Sequence, residues 1–337
     1  MSGETEGSRQ EAGASGRAAR EPVHVSVVVP ACNEELNLAE LLERVTAAVE
    51  PLGTFEIIVV DDGSTDGTWP LLQEAAVRDP RVVAVRLQRN FGQHPAVTAG
   101  FARARGEVVV TLDADLQNPP EEIPKLVARL GDDCDVAAGW RKPRRDDWRR
   151  KVASRLLNRM VCRATGVPLH DYGCMLRAYK RRVIRLLLQC PELNRSTTGL
   201  VAWLGVRIVE VPVEHHLRAR GRSRYGFWHL LHMSFDFLTG FSTGLLQTVS
   251  VGGIVISVLG FAAAVVLAVW RVMHGSGPMG LTTFVAILLF LAGVQVAVVG
   301  IVGEYVGRIY AQVQGRPHYV VAEETRDPGD ITELGVR

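Results

Sequence analysis

Two aspartates separated by one small residue, Asp113-Ala114-Asp115, end an apolar run, EVVVTL (107–112), and a glutamine follows at 117. Two carboxylates at that spacing can share one divalent cation, and Gln117 can add an amide oxygen. Mg2+ and Mn2+ prefer hard oxygen ligands and fill the rest of their shell with water and substrate phosphates. A lone DxD triplet is most often a solvated loop. Here it ends a strand-like run, and a second acidic pair, Asp61-Asp62, ends FEIIVV (55–60), which favours the metal reading. The segment VVDDGSTDGT (59–68) offers acceptors for a ribose or base, with Gly63 for a tight turn. Ser64 to Asp66 equally suit the cap of a following helix. Arg141, Arg155 and Arg218 suit a diphosphate, because a guanidinium fork meets two phosphate oxygens at once.

The elements that must position these groups alternate. HVSVVVP (24–30), FEIIVVDD (55–62), RVVAVRL (81–87), EVVVTLDAD (107–115) and DVAAGW (135–140) read as strands. Helical periods lie between them, at Leu38, Leu41, Leu42 and Val45, then at Leu71, Leu72 and Ala75. Such alternation, with strands apolar throughout, predicts an α/β fold whose parallel sheet is covered on both faces. Ligands of such sheets bind at the carboxyl ends of the strands. The polar clusters sit there: Asn33 and Glu34, Asp61 and Asp62, and Asp113 to Gln117. No GxGxxG follows the first strand and no GxxxxGK[ST] occurs, which argues against a dinucleotide oxidoreductase and a P-loop NTPase.

The net charge of +2 is close to balanced, but the distribution is uneven. The stretch from Arg141 to Arg163 is strongly basic, and Arg218, Arg220, Arg222 and Arg224 form a second cationic patch. The five cysteines are odd in number and show no CxxC spacing, which fits a reducing compartment rather than a disulfide framework or zinc site. Residues 1–22 are small and polar, reading as a disordered tail. Two stretches, about 245–270 and 281–302, lack Lys, Arg, Asp and Glu and reach the roughly 20 residues that a membrane helix needs. They predict a two-helix transmembrane hairpin over 245–308, and the excess of cations outside it places both ends in the cytoplasm. A basic amphipathic helix over about 147–164 and a juxtamembrane helix over 226–244 are expected to lie at the bilayer surface. The catalytic unit would then span 23–225, with a cytoplasmic tail at 309–337.

Taken together, PACNEE (30–35), VVDDGSTDGT, RNFGQHPAVTAGF (89–101), LDADLQNPPEEIP (112–124), DYGCMLRAY (171–179) and GEYVGRIY (303–310) resemble the family 2 glycosyltransferases, which have the GT-A fold. Within that family the chain is similar to the polyprenyl-phosphate glycosyltransferases, over about residues 24–319. The resemblance implies an inverting transfer of a sugar, 4-deoxy-4-formamido-L-arabinose or a hexose, from a nucleotide diphosphate, UDP more than GDP. The acceptor would be undecaprenyl or another polyprenyl phosphate at the cytoplasmic face of the inner or plasma membrane. It also implies roles for single residues. Pro30, Glu34 and Asp62 would lie around the base and ribose, and Asp113, Asp115 and Gln117 around Mg2+ or Mn2+ and the diphosphate. Arg141, Arg155, Arg218 and Arg224 would hold phosphates, with Ser223 and Tyr225 on a loop closing over them. Asp171 would sit beside the reacting carbon, as a candidate base or an orienting group. A homo-oligomer, such as a tetramer, is a further implication.

Three other readings compete. A processive polysaccharide synthase shares the strand-end carboxylates but carries a QxxRW segment, absent here. A catalytically silent membrane scaffold of the same fold would not need Asp113, Asp115, Gln117 and Asp171 intact. A nucleic-acid-binding protein would account for the basic patches but not for the apolar spans.

Overall fold

Runs of β-branched residues make the strands, because branched side chains pack well on a pleated surface. The computed structural model describes residues 22–141, 169–190, 197–216 and 281–326, with single positions between 253 and 273. The 147–164 and 226–244 helices, most of the first span, and Arg155, Arg218, Ser223, Arg224 and Tyr225 lie outside the described residues. The five runs read from the sequence are β1 (Val25–Ala31), β2 (Phe55–Asp61), β3 (Val82–Leu87), β4 (Val108–Thr111) and β5 (Val136–Arg141). Three further strands join them: β6 (Arg177–Lys180), β7 (Ile208–Val213) and β8 (Val321–Glu324). The sheet order is β7-β5-β6-β4-β1-β2-β3-β8. Strands β3, β2, β1 and β4 run parallel, as do β5 and β7, while β6 and β8 are antiparallel to their neighbours. The expected parallel sheet is therefore mostly parallel.

Helices α1 (Leu38–Val49), α2 (Thr68–Arg78), α3 (Gln93–Phe101), α4 (Ile123–Arg129), α5 (Arg181–Leu188) and α6 (Thr197–Trp203) flank this sheet. Alternate residues of each strand face opposite layers. Val25, Val27 and Val29 of β1 pack with Leu38, Leu41 and Val45 of α1 and Leu126 of α4. Val28 instead joins Ile58, Val60, Ala96, Val97 and Phe101 on the other face, where α3, α5 and α6 lie. Two buried faces explain why the strand sequences are apolar without alternation. Helix α3 approaches β1 closely: a Cβ at Gly100 would lie 2.3 Å from Val28 Cγ1.

At the amino ends of the parallel strands sits a buried charge knot. Glu56, 1% exposed, accepts hydrogen bonds from Ser26 Oγ (2.6 Å), the Arg105 backbone (2.7 Å) and Arg326 Nη2 (2.6 Å). Arg326 follows β8 directly. Nearby, Arg103 pairs with Glu324 at 2.9 Å with both side chains largely buried. The last described segment is thus bound to the sheet by ion pairs as well as by its ladder.

Helix α7 (Leu281–Val313) contains the second predicted span and continues 11 residues beyond it, through GEYVGRIY. It ends before Gly315, whose φ of +61° suits a residue without a Cβ. Counting the described residues, no helix is long and apolar enough to cross a membrane.

Burial raises the Glu56 pKa, but Arg326 and the hydrogen bonds of Ser26 and Arg105 outweigh it and hold the group below the usual carboxylate range. Its stabilisation is therefore present above the ordinary carboxylate pKa and is lost as pH falls through the depressed value. Arg326→Met removes one partner of a buried pair and should cost about 3 kcal/mol. Denaturation followed by fluorescence at stepped pH should show acid unfolding beginning at a higher pH than in the wild type.

Candidate active site

The carboxyl ends of β1, β2, β4 and β5 meet on one side of the sheet. After β1, Asn33 adopts a left-handed φ of +56°, and its backbone N–H donates to Ser64 Oγ at 2.9 Å. Its side-chain oxygen accepts the Thr65 N–H at 2.8 Å, so the β1 and β2 loops are laced together. Glu34 Oε2 accepts from Asn37 Nδ2 at 2.7 Å, and Pro30 lies half-buried at the strand end.

At the end of β2, Asp61 is fully buried and accepts the Ser64 N–H at 2.9 Å. Asp62 receives two backbone N–H groups, Phe91 on Oδ1 at 2.7 Å and Gly92 on Oδ2 at 2.9 Å. Burial still pushes its pKa up, with Asp61 adding to the effect. Gly63 turns the chain at φ +66°, and a Cβ there would lie 2.6 Å from the Arg89–Asn90 backbone.

Beyond β4, Asp113 Oδ1 accepts Gln93 Nε2 at 2.6 Å. Asp115 is held twice by one residue, through the Gln117 backbone N–H (3.2 Å) and its Nε2 (2.7 Å). Between them Leu116 sits in the left-handed region at φ +58°, kept there by burial of its side chain. Asn33 and Leu116 are the non-glycine residues with positive φ among those described, and both border the cleft. Strain of this kind costs on the order of 1 kcal/mol and collects at functional sites.

Arg141, at the end of β5, forks Asp171: Nε to Oδ2 at 2.6 Å and Nη2 to Oδ1 at 2.8 Å, with only 16% and 5% of the two side chains exposed. The loop carrying Asp171 is fixed from three sides. Glu210 of β7 accepts the His170 N–H at 2.7 Å, His170 stacks on Trp140 at 4.5 Å, and the fully buried Arg177 donates to the carbonyls of Cys174 (2.8 Å) and Tyr172 (3.2 Å).

Asp113, Asp115, Gln117, Arg141 and Asp171, read separately from the sequence, thus share one electrostatic environment, and Gln93 connects them to the loop that grips Asp62. Burial and then the charge of Asp115 push Asp113 up to about 7, against the pull of Arg141 and Gln93. A cation relieves both costs, so the donor set fits a hard divalent ion that takes its other ligands from water and phosphate. No group of three or more His, Cys, Asp or Glu side chains with metal-binding geometry occurs among the described residues. The expected amide ligand, Gln117, has its amide nitrogen on Asp115 and its backbone oxygen on the His216 N–H at 2.9 Å.

Sequence reasoning missed Gln93, Glu210 and His215. His215 is pushed below the usual imidazole value by burial and by Arg141, and it also feels Asp115 and Asp171. Its place two residues after β7 was the available signal. Mn2+ at a hundred times its dissociation constant should stabilise the fold by about 2.7 kcal/mol. Thermal unfolding with and without Mn2+ checks this; Asp115→Asn should lose most of the shift, and an unmoved wild type refutes the cation site.

Comparison with known proteins bears on the family of the chain. The description "Glycosyl transferase family 2" matches residues 26–188. An undecaprenyl-phosphate 4-deoxy-4-formamido-L-arabinose transferase from Aeromonas hydrophila is 44% identical over 90% of this chain and 94% of its own. The protein of that name from Proteus mirabilis is 46% identical over 88% and 92%. A glucosyl-3-phosphoglycerate synthase from Mycobacterium tuberculosis, solved with Mn2+, uridine diphosphate and glucosyl-3-phosphoglycerate, overlays with a TM-score of 0.45 at 23% identity over 65% of this chain and 78% of its own. The chain belongs to the family 2 glycosyl transferases and is a transferase enzyme.

Proposed function

We propose that this enzyme transfers 4-deoxy-4-formamido-L-arabinose, with inversion, from its UDP-linked donor to undecaprenyl phosphate at the cytoplasmic face of a membrane, on a GT-A fold. The observation that carries the reaction is the pair of strand-end carboxylates facing the Arg141–Asp171 fork across one cleft. The acceptor and the sugar rest on identity of 44–46% to transferases of that name along nearly the whole chain. Pro30, Glu34 and Asp62 border the base and ribose. Asp113 and Asp115 would hold a divalent cation, Mg2+ or Mn2+, which would supply positive charge to the leaving diphosphate. Arg141 supports the same phosphates, and Arg155, Arg218 and Arg224 are assigned to them as well.

In the reaction an oxygen of the lipid phosphate forms a bond to the anomeric carbon as the bond from that carbon to the diphosphate breaks, releasing UDP. A phosphate monoester has its second pKa near about 6, so the nucleophile is already largely ionised at neutral pH. No strong base is required. Both oxygens of Asp171 are engaged by Arg141, which suits an orienting group that keeps the guanidinium aimed at phosphate.

Support for membrane attachment comes from α7, whose Phe284, Ile287, Leu288, Leu291, Val299, Val306 and Ile309 are all exposed. Its 33 residues would extend about 50 Å as a straight helix, a long surface for these apolar side chains to meet a bilayer. With the stretch at 245–270 it would form the two-span hairpin.

Purified protein in nanodiscs with undecaprenyl phosphate, Mn2+ and a panel of UDP- and GDP-sugars should yield one lipid-linked product by mass spectrometry. EDTA and Asp115→Ala should each abolish it. A hexose product would correct the sugar alone, and no lipid product from any donor would refute the acceptor assignment. Asp171→Asn breaks the fork and should lower turnover on the order of 10²-fold by misplacing Arg141; wild-type rates would remove Asp171 from the mechanism.

A further inference from the structure

We infer that Gln93 is a positioning residue that aims Asp113 at the bound cation and ties that carboxylate to the loop gripping Asp62. The inference rests on the metal-dependent reading of the site given above. Gln93 opens α3, and its Nε2 lies 2.6 Å from Asp113 Oδ1, a hydrogen bond strengthened by the charge of its acceptor. That bond takes up Oδ1, so Oδ2 would be the oxygen available to a cation. Asp113 would otherwise answer to opposing pulls, repelled by Asp115 and attracted by Arg141, with no other hydrogen-bond donor given to its side chain among the described residues.

Gln93 can do this because its neighbours on both sides are anchored. Phe91 and Gly92 give their N–H groups to Asp62. Gly92 adopts φ +102°, a conformation that other residues rarely take. His94 places Nδ1 3.2 Å from Thr197 Oγ1, and Ala96, Val97 and Ala99 are fully buried against the sheet. The backbone that carries the amide is thereby fixed in place. Three consecutive residues thus connect the acidic end of β2 with that of β4, whose carboxylates are over 50 positions apart in sequence.

The test is Gln93→Met, which keeps length and volume and removes the donor. Partners of metal ligands typically change metal affinity 10–100-fold when lost. Electron paramagnetic resonance of free Mn2+, which needs no turnover, should show a dissociation constant raised about 10-fold. UDP binding in EDTA should stay within about 2-fold, because the grip on Asp62 uses backbone groups, and the metal-free thermal midpoint should fall by only about 2–4 °C, the effect of one lost hydrogen bond. Metal half-saturation of turnover should rise while the donor KM at saturating Mn2+ holds. Should Gln93→Met fold poorly, Gln93→Asn, one methylene too short to reach, should show the same loss of Mn2+ affinity. Wild-type Mn2+ affinity in a folded variant overturns the role of Gln93. Failure of the wild type itself to bind Mn2+ overturns the metal reading instead.

Discussion

A strand whose two faces are both buried has nowhere to put an ionised side chain except at its ends. Strands β1, β2 and β4 meet that constraint between α1, α2 and α4 on one side and α3 and α5 on the other. Their charged groups are accordingly driven to two opposite rims. At the amino rim, Glu56 is enclosed by arginines and becomes part of the scaffold. At the carboxyl rim, Asp61, Asp62, Asp113 and Asp115 crowd together, with Arg86 and Arg141 as their cationic neighbours among the described residues.

That difference shows in how each carboxylate is held. The acidic groups of the cleft are met mainly by amides: the backbone N–H groups of Phe91 and Gly92, and the side chains of Gln93 and Gln117. Amides orient a carboxylate without cancelling its charge, so the cleft stays electronegative and preorganised. Two described arginines also approach: Arg86 lies 3.7 Å from Asp61, and the charge of Arg141 is matched by Asp171. Arranging the site costs stability, visible in the left-handed Leu116 and the raised pKa of Asp113.

How far this was legible from the residues follows from the same physics. Strands β1 to β5 carry apolar runs because they are buried on both faces, and Asp62, Asp113 and Asp115 stood out by ending such runs. Strand β6 reads RAYK and β8 reads VAEE, short segments whose charges make sense only beside distant partners such as Arg103. Gln93 was invisible for a related reason: its partner is 20 positions away, and their meeting depends on the turn at Gly92. Gln117 was identified with the site, but its double hydrogen bond to Asp115 was not, since spacing does not say which way an amide faces. Glu210 acts through the backbone of His170, a contact with no sequence pattern at all.

The last described strand sets an order on biosynthesis. Strand β8 covers the outer edge of β3, and Arg326 completes the shell of Glu56, yet both emerge from the ribosome after every residue of α7. A nascent chain that has made all its cleft residues still has an open strand edge and a carboxylate short of one partner. Open edges invite pairing with other chains. The sheet is therefore finished only after α7 has left the ribosome. Chains cut short within α7 would carry the whole cleft and yet be prone to aggregate.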